Sequence, residues 1–207
     1  NNLVGGDELG LGNVISGNTG AGVLITGASS TGTLLSGNRI GTDVRGLVAV
    51  ANGAEGVRID GAGETVVGGL ATVPGRAPGN QIAGNTGDGV FIVGTPDNPA
   101  PQNRVLGNTV GLDDTGDVAL PNGGAGVHVR GEAPESTVGG EASAARNVVA
   151  GNADIGVWIE DTDDARPDAA RRRGRRGRHA GQSAPAPPPD PPGPDASTDL
   201  GGRWRGR

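Results

Sequence analysis

Asn13-Val-Ile-Ser-Gly-Asn-Thr-Gly-Ala-Gly-Val-Leu-Ile25 returns as Asn80-Gln-Ile-Ala-Gly-Asn-Thr-Gly-Asp-Gly-Val-Phe-Ile92, and again as Asn147-Val-Val-Ala-Gly-Asn-Ala-Asp-Ile-Gly-Val-Trp-Ile159. Both offsets are 67 residues. Self-similarity at a fixed period marks a repeat architecture, in which each unit buries its apolar face only against its neighbours. A second set interleaves with the first. Ser36-Gly-Asn-Arg-Ile-Gly-Thr-Asp43 matches Leu106-Gly-Asn-Thr-Val-Gly-Leu-Asp113, and Asn52-Gly-Ala-Glu-Gly-Val-Arg-Ile59 matches Asn122-Gly-Gly-Ala-Gly-Val-His-Val129. Val66-Val-Gly-Gly69 matches Thr137-Val-Gly-Gly140.

The Gly-Val-x-Ile/Val element starts at Gly22, Gly56, Gly89, Gly126 and Gly156, at spacings of 34, 33, 37 and 30 residues. The 67-residue unit is therefore a pair of coils. Each coil carries three β-prone runs; in the first they are Val14–Ile15, Val23–Ile25 and Thr33–Leu35. Runs this short cannot make a free-standing sheet. Stacked coil on coil, they make three parallel sheets around a thin core. Successive side chains alternate faces, so the Val and Ile of Gly-Val-x-Ile point inward and the x residue outward. Gly-Asn suits the sharp corners because both residues tolerate positive φ, and stacked Asn side chains can hydrogen-bond between coils.

Asn13-Val-Ile-Ser-Gly-Asn18, Gly37-Asn-Arg-Ile-Gly-Thr-Asp43 and Thr65-Val-Val-Gly-Gly69 resemble the repeats of bacterial right-handed parallel β-helix proteins. The resemblance covers about residues 1–160. It implies an all-β solenoid of about 4–5 coils over 1–165, roughly 20–25 Å long at the parallel-strand spacing, with no evident caps. Loops at 43–55 and 112–125 should leave one corner, and those at 70–79 and 140–146 another. The resemblance further implies a secreted or cell-surface protein, and some relatives cleave or bind polysaccharides. That is analogy of fold, and function resides in sites.

Composition agrees with a narrow core. The 207 residues include 42 Gly but one Phe, two Trp and no Tyr, Met or Cys, so aliphatic side chains must fill the interior. Without Cys there is no disulfide framework or thiolate metal site. No apolar run reaches the roughly 18 residues of a membrane helix. No signal peptide is visible, and a chain beginning at Asn1 reads as an internal or processed fragment. Residues 1–165 hold 19 acidic residues against 7 Arg, which argues against nucleic acid as a partner of the repeat body. Uncapped coils expose unpaired edges, so end-to-end self-association is expected.

After Glu160 the repeat is lost. Residues 166–207 hold 10 Arg, 8 Pro, 7 Gly and 6 Ala. They read as a disordered basic tail; a shifted reading frame in GC-rich DNA and an arm for anionic polymers are the competing readings.

No catalytic residue is assigned. Asp113-Asp114 resembles a glycosidase carboxylate pair, but adjacent strand residues point to opposite faces. The companion segments of those hydrolases are absent, so turn chemistry is the better account. A lyase base is limited to His128, Arg58 and Arg130. Calcium lacks the Gly-Gly-x-Gly-x-Asp repeat, zinc lacks partners for His128 and His179, and no cofactor motif is present. The binding candidates are Arg58, Phe91, His128 and Trp158, which with Leu24 form the outward column of the Gly-Val-x-Ile strands. Phe91 and Trp158 would lie two coils, about 9.6 Å, apart, so that alternate sugars could stack on the two rings while His128 and Arg58 meet hydroxyls or uronates. Two functions stay open: a non-catalytic surface module displaying a glycan- or partner-binding face, and a fragment of a polysaccharide lyase or glycoside hydrolase whose active site lies outside this chain.

Overall fold

The computed structural model describes residues 1–161. The expected tail at 166–207 lies outside the described residues. The first coil holds β1 (Leu3–Gly5), β2 (Val14–Ile15) and β3 (Val23–Thr26). The second holds β4 (Leu34–Ser36), β5 (Arg39–Ile40) and β6 (Val57–Asp60). The third holds β7 (Val66–Gly68), β8 (Gln81–Ile82) and β9 (Val90–Gly94). The fourth holds β10 (Arg104–Leu106), β11 (Thr109–Val110) and β12 (Val127–Gly131), and the fifth β13 (Thr137–Val138), β14 (Val148–Val149) and β15 (Val157–Glu160).

Every third strand joins the same sheet. The orders are β1-β4-β7-β10-β13, β2-β5-β8-β11-β14 and β3-β6-β9-β12-β15, all parallel. This is the expected right-handed parallel β-helix, the hand that parallel crossover connections take. A short 3-10 turn at Ser143–Ala145 is the one helical segment among the described residues.

The inward positions stack like on like. Val57, Val90 and Val127 align in the third sheet, and Ile59, Ile92 and Val129 align beside them. Ile40, Ile82 and Val110 face them from the second sheet, and Leu35, Val67 and Val105 from the first. Each such side chain, fully buried, stabilises the fold by about 1.5–3 kcal/mol relative to exposure. Exposure rises in the last coil, where Val157 and Ile159 are open.

Two asparagine ladders run the length of the stack. In one, Nδ2 of Asn13, Asn38, Asn80 and Asn108 donates to Oδ1 of the asparagine one coil on, ending at Asn147, at 3.0–3.1 Å. In the other, Asn18, Asn52, Asn85 and Asn122 do the same, ending at Asn152, at 2.8–2.9 Å. The second amide hydrogen turns back to a carbonyl of the preceding coil, as from Asn80 to Leu35 O at 3.0 Å and from Asn85 to Ile40 O at 3.2 Å. An amide has two donors and an oxygen that takes two, so a central rung is fully used. The expectation that these asparagines adopt positive φ is corrected. At five of the ten rungs the preceding glycine takes the turn, as at Gly84 (φ 74°) and Gly107 (φ 67°), and no described Asn has positive φ.

The corner between the third and first sheets turns differently. Gly32, Glu64, Gln102 and Glu135 occupy it in successive coils, all near φ 56–66°. Three of these are not glycine, so no sequence signal marked the corner.

Replacing a rung in the middle of a ladder should cost more than replacing one at its end. Asn85→Ala strands the buried Asn52 amide and Ile40 carbonyl and is expected to lower stability by about 3 kcal/mol. Asn13→Ala, at an exposed position, should lower it by less than about 1 kcal/mol. Urea denaturation of both variants checks the ordering.

Candidate functional site

The outward residues of the third sheet fall in register as expected. Leu24 pairs with Arg58, Arg58 with Phe91, Phe91 with His128, and His128 with Trp158. Phe91 and Trp158 sit two coils apart, and the imidazole of His128 fills the gap. Its ring lies 4.3 Å from the Trp158 ring at an angle of 3°, and 4.7 Å from the Phe91 ring at 40°. The Arg58 guanidinium caps the other side of Phe91, 5.1 Å from its centroid. Rings that meet along the stacking direction turn their edges to solvent. Phe91 therefore has no free face for a sugar, and it and His128 are only 8% and 6% exposed.

The polar groups of the column are also engaged. His128 Nδ1 lies 3.0 Å from Asp88 Oδ2 and Nε2 lies 3.3 Å from Glu160 Oε1. Arg130 pairs with Glu160 at 3.1 Å, and Arg58 pairs with Asp60 at 2.9 Å and Glu55 at 3.1 Å. The hydrogen bond to Asp60 and the two acidic neighbours hold the Arg58 guanidinium in its charged form above its ordinary range. The three lyase candidates of the sequence thus lie on one sheet, each facing a carboxylate of this chain.

A cleft lies elsewhere, on the outer face of the second sheet. Its outward column is Val14, Arg39, Gln81, Thr109 and Val148. Loops rise on both sides. One joins β7 to β8, and the other joins β11 to β12. Between them is a cleft of about 190 Å³, floored by Gln81, Thr109 and Val148 and walled by residues 73–76 and 113–116. A smaller hollow of about 40 Å³ continues past Arg39 and Arg76 toward Leu9. Although they point outward, Gln81 and Thr109 are only 2% and 7% exposed, because the loops cover them.

Asp114 crosses the cleft wall. Its Oδ1 meets Arg39 at 3.2 Å, and its Oδ2 meets Arg76 at 2.9 Å. Asp113 turns the other way, into its own loop. It accepts from the Thr115 hydroxyl at 2.6 Å and from backbone N–H groups of Thr115, Gly116 and Val118. Asp43 does the same in the equivalent loop, accepting from Leu47 and Val48. The two adjacent aspartates therefore have separate jobs, a turn and an ion pair. The Thr115 hydroxyl, foremost, pulls the Asp113 carboxyl below its ordinary value, and the Leu47 N–H does so for Asp43. A general acid needs the opposite shift.

Gln81 is fixed by donating Nε2 to Gly46 O at 2.7 Å and Leu112 O at 3.2 Å. Its Oε1 and Arg39 Nε are buried without partners among the described residues. Sequence reading missed Arg39, Arg76, Gln81 and Thr109. The available signal was that both long-loop classes flank the same two-residue strands. No group of three or more His, Asp or Glu side chains is placed to hold a metal ion among the described residues. None of their helices is long and apolar enough to cross a membrane.

No family model, curated protein or solved structure matches the chain.

The lowered carboxyls set a pH dependence. Their contribution to stability is complete above the ordinary value of 3.8 and is lost as pH falls through the lower folded values. Melting temperature should therefore fall between pH 4 and 2 less steeply (about those limits) in the Asp43→Asn/Asp113→Asn double variant than in the parent. Thermal scans across that range check it.

Proposed function

We propose that the repeat body is a non-catalytic glycan-binding module of a secreted or cell-surface β-helix protein. One observation carries the reading: the carboxylates bordering the column and the cleft wall are already engaged. Asp113 holds its loop, Asp114 holds Arg39 and Arg76, and Asp88 and Glu160 hold His128. Glycoside hydrolysis needs two carboxyl groups facing one bond, about 5–10 Å apart, one of them free to give a proton. Lysis needs an open base within reach of a carbon acid. At the column and the cleft wall neither set is free.

Binding asks for less. A concave surface with an apolar wall and a few convergent polar groups suffices, and the second sheet has that. The regular stack holds such a surface rigid, which lowers the ordering cost of association. The resemblance to exported β-helix proteins supports both the location and the class of ligand.

Affinity electrophoresis of the full chain through gels containing neutral and acidic polysaccharides tests the reading. Retardation by at least one polymer is expected, with no release of reducing ends and no unsaturated uronate absorbance. Retardation by none would sink glycan binding. Release of either product would favour the alternative, a lyase or hydrolase fragment.

A further inference from the structure

Resting on the glycan-binding reading, we infer that the cleft on the second sheet is a subsite for one neutral pyranose unit and rejects a uronate. Size sets the first limit. At about 190 Å³ the cleft is smaller than the roughly 300–1,000 Å³ pockets of drug-sized ligands. It admits one ring, with the chain of a longer glycan leaving through its open sides.

Wall chemistry sets the second. Val73 and Pro74 form one side and Val148 part of the floor, while Thr109, Thr115 and Asp114 present oxygens from the other side. A pyranose is amphipathic in the same sense, with a C–H face and a rim of hydroxyls. A flat apolar ligand would leave the oxygens unpaired, at a cost of about 1–3 kcal/mol for each one buried.

Charge sets the third. Among the described residues lining the cleft, Arg76 is the one cation and is already paired with Asp114, while Asp113 and Asp114 both bring negative charge. An incoming uronate would meet no unanswered cation and would have to displace Asp114 while approaching Asp113. Like charges brought together in a partly desolvated site oppose binding. A hydroxyl has no such conflict, since it both donates and accepts. It can accept from an arginine N–H and donate to Asp114.

Titration calorimetry of the full chain with neutral hexasaccharides (gluco-, manno- and galacto-configured) and with hexagalacturonate tests the inference. At least one neutral hexamer should bind and hexagalacturonate should not. Val73→Trp, on the exposed wall, fills the cleft without touching the core and should weaken binding at least about tenfold. Thr109→Val removes one hydroxyl and should weaken it in the same direction, with circular dichroism confirming that each variant keeps its fold. Leu24→Ala, exposed on the third sheet, should leave affinity unchanged. Equal or tighter binding of hexagalacturonate overturns the inference. So does full affinity in both cleft variants while the parent still binds glycan, a result that leaves the general reading intact. Absence of binding by every hexamer and every polysaccharide in the gel removes both.

Discussion

Side-chain amides stacked at 4.8 Å-type spacing are the constraint from which the rest follows (about one strand repeat per rung). The second sheet has strands of only two residues, too short to hold register by their own ladder bonds. Asparagine ladders run down both of its corners, from Asn13 to Asn147 and from Asn18 to Asn152. Each central rung reaches the next coil through Nδ2 and the last through its own Oδ1 and its second amide hydrogen, as Asn80 does. Because buried amides left unmade are costly, slipping one coil against another would break the ladder at both corners together. Register in the other two sheets is inherited from this.

That fixed register explains how a narrow sheet can carry long loops. The corners beside the second sheet are where the chain leaves the coil, at 69–80 and 111–126, and the ladders close the coil behind each departure. Loops that depart from the two sides of a two-residue strand stand close enough to meet. Arg76 and Asp114 are 38 residues apart in sequence yet 2.9 Å apart in space. The cleft is thus a product of strand brevity.

The same register makes the third sheet self-sufficient. Its longer strands place Arg58, Phe91, His128 and Trp158 one above another at a spacing close to the thickness of a π system. Planar groups at that spacing stack, and each contact of this kind contributes about 0.5–1.5 kcal/mol beyond area burial. In the column that composition singled out as a binding surface, Phe91 and His128 have spent their faces on their neighbours, and the outward residues of the quieter second sheet border the open cleft. The open cleft therefore lies between loops and away from the aromatic residues.

The sequence by itself determined the coil, the three-sheet stack, the inward Val and Ile columns and the register of the outward column. All of these are periodic, and a period is readable without coordinates because each residue's environment repeats its neighbour's. It determined as well that Asp113 belongs to a turn, since Asp43 stands at the same place in the repeat. Tertiary structure alone decided what the outward residues do. Alternation places His128 and Gln81 alike on outer faces, but whether such a residue meets solvent, a ring or a loop depends on how insertions of unequal length fold back. Insertions are the parts that do not repeat exactly, so they carry no period to read. The burial of Gln81, the sharing of Asp114 by two arginines and the sealing of Phe91 are all of this kind. They arise from contacts between coils, where the distance along the chain gives no measure of distance in space.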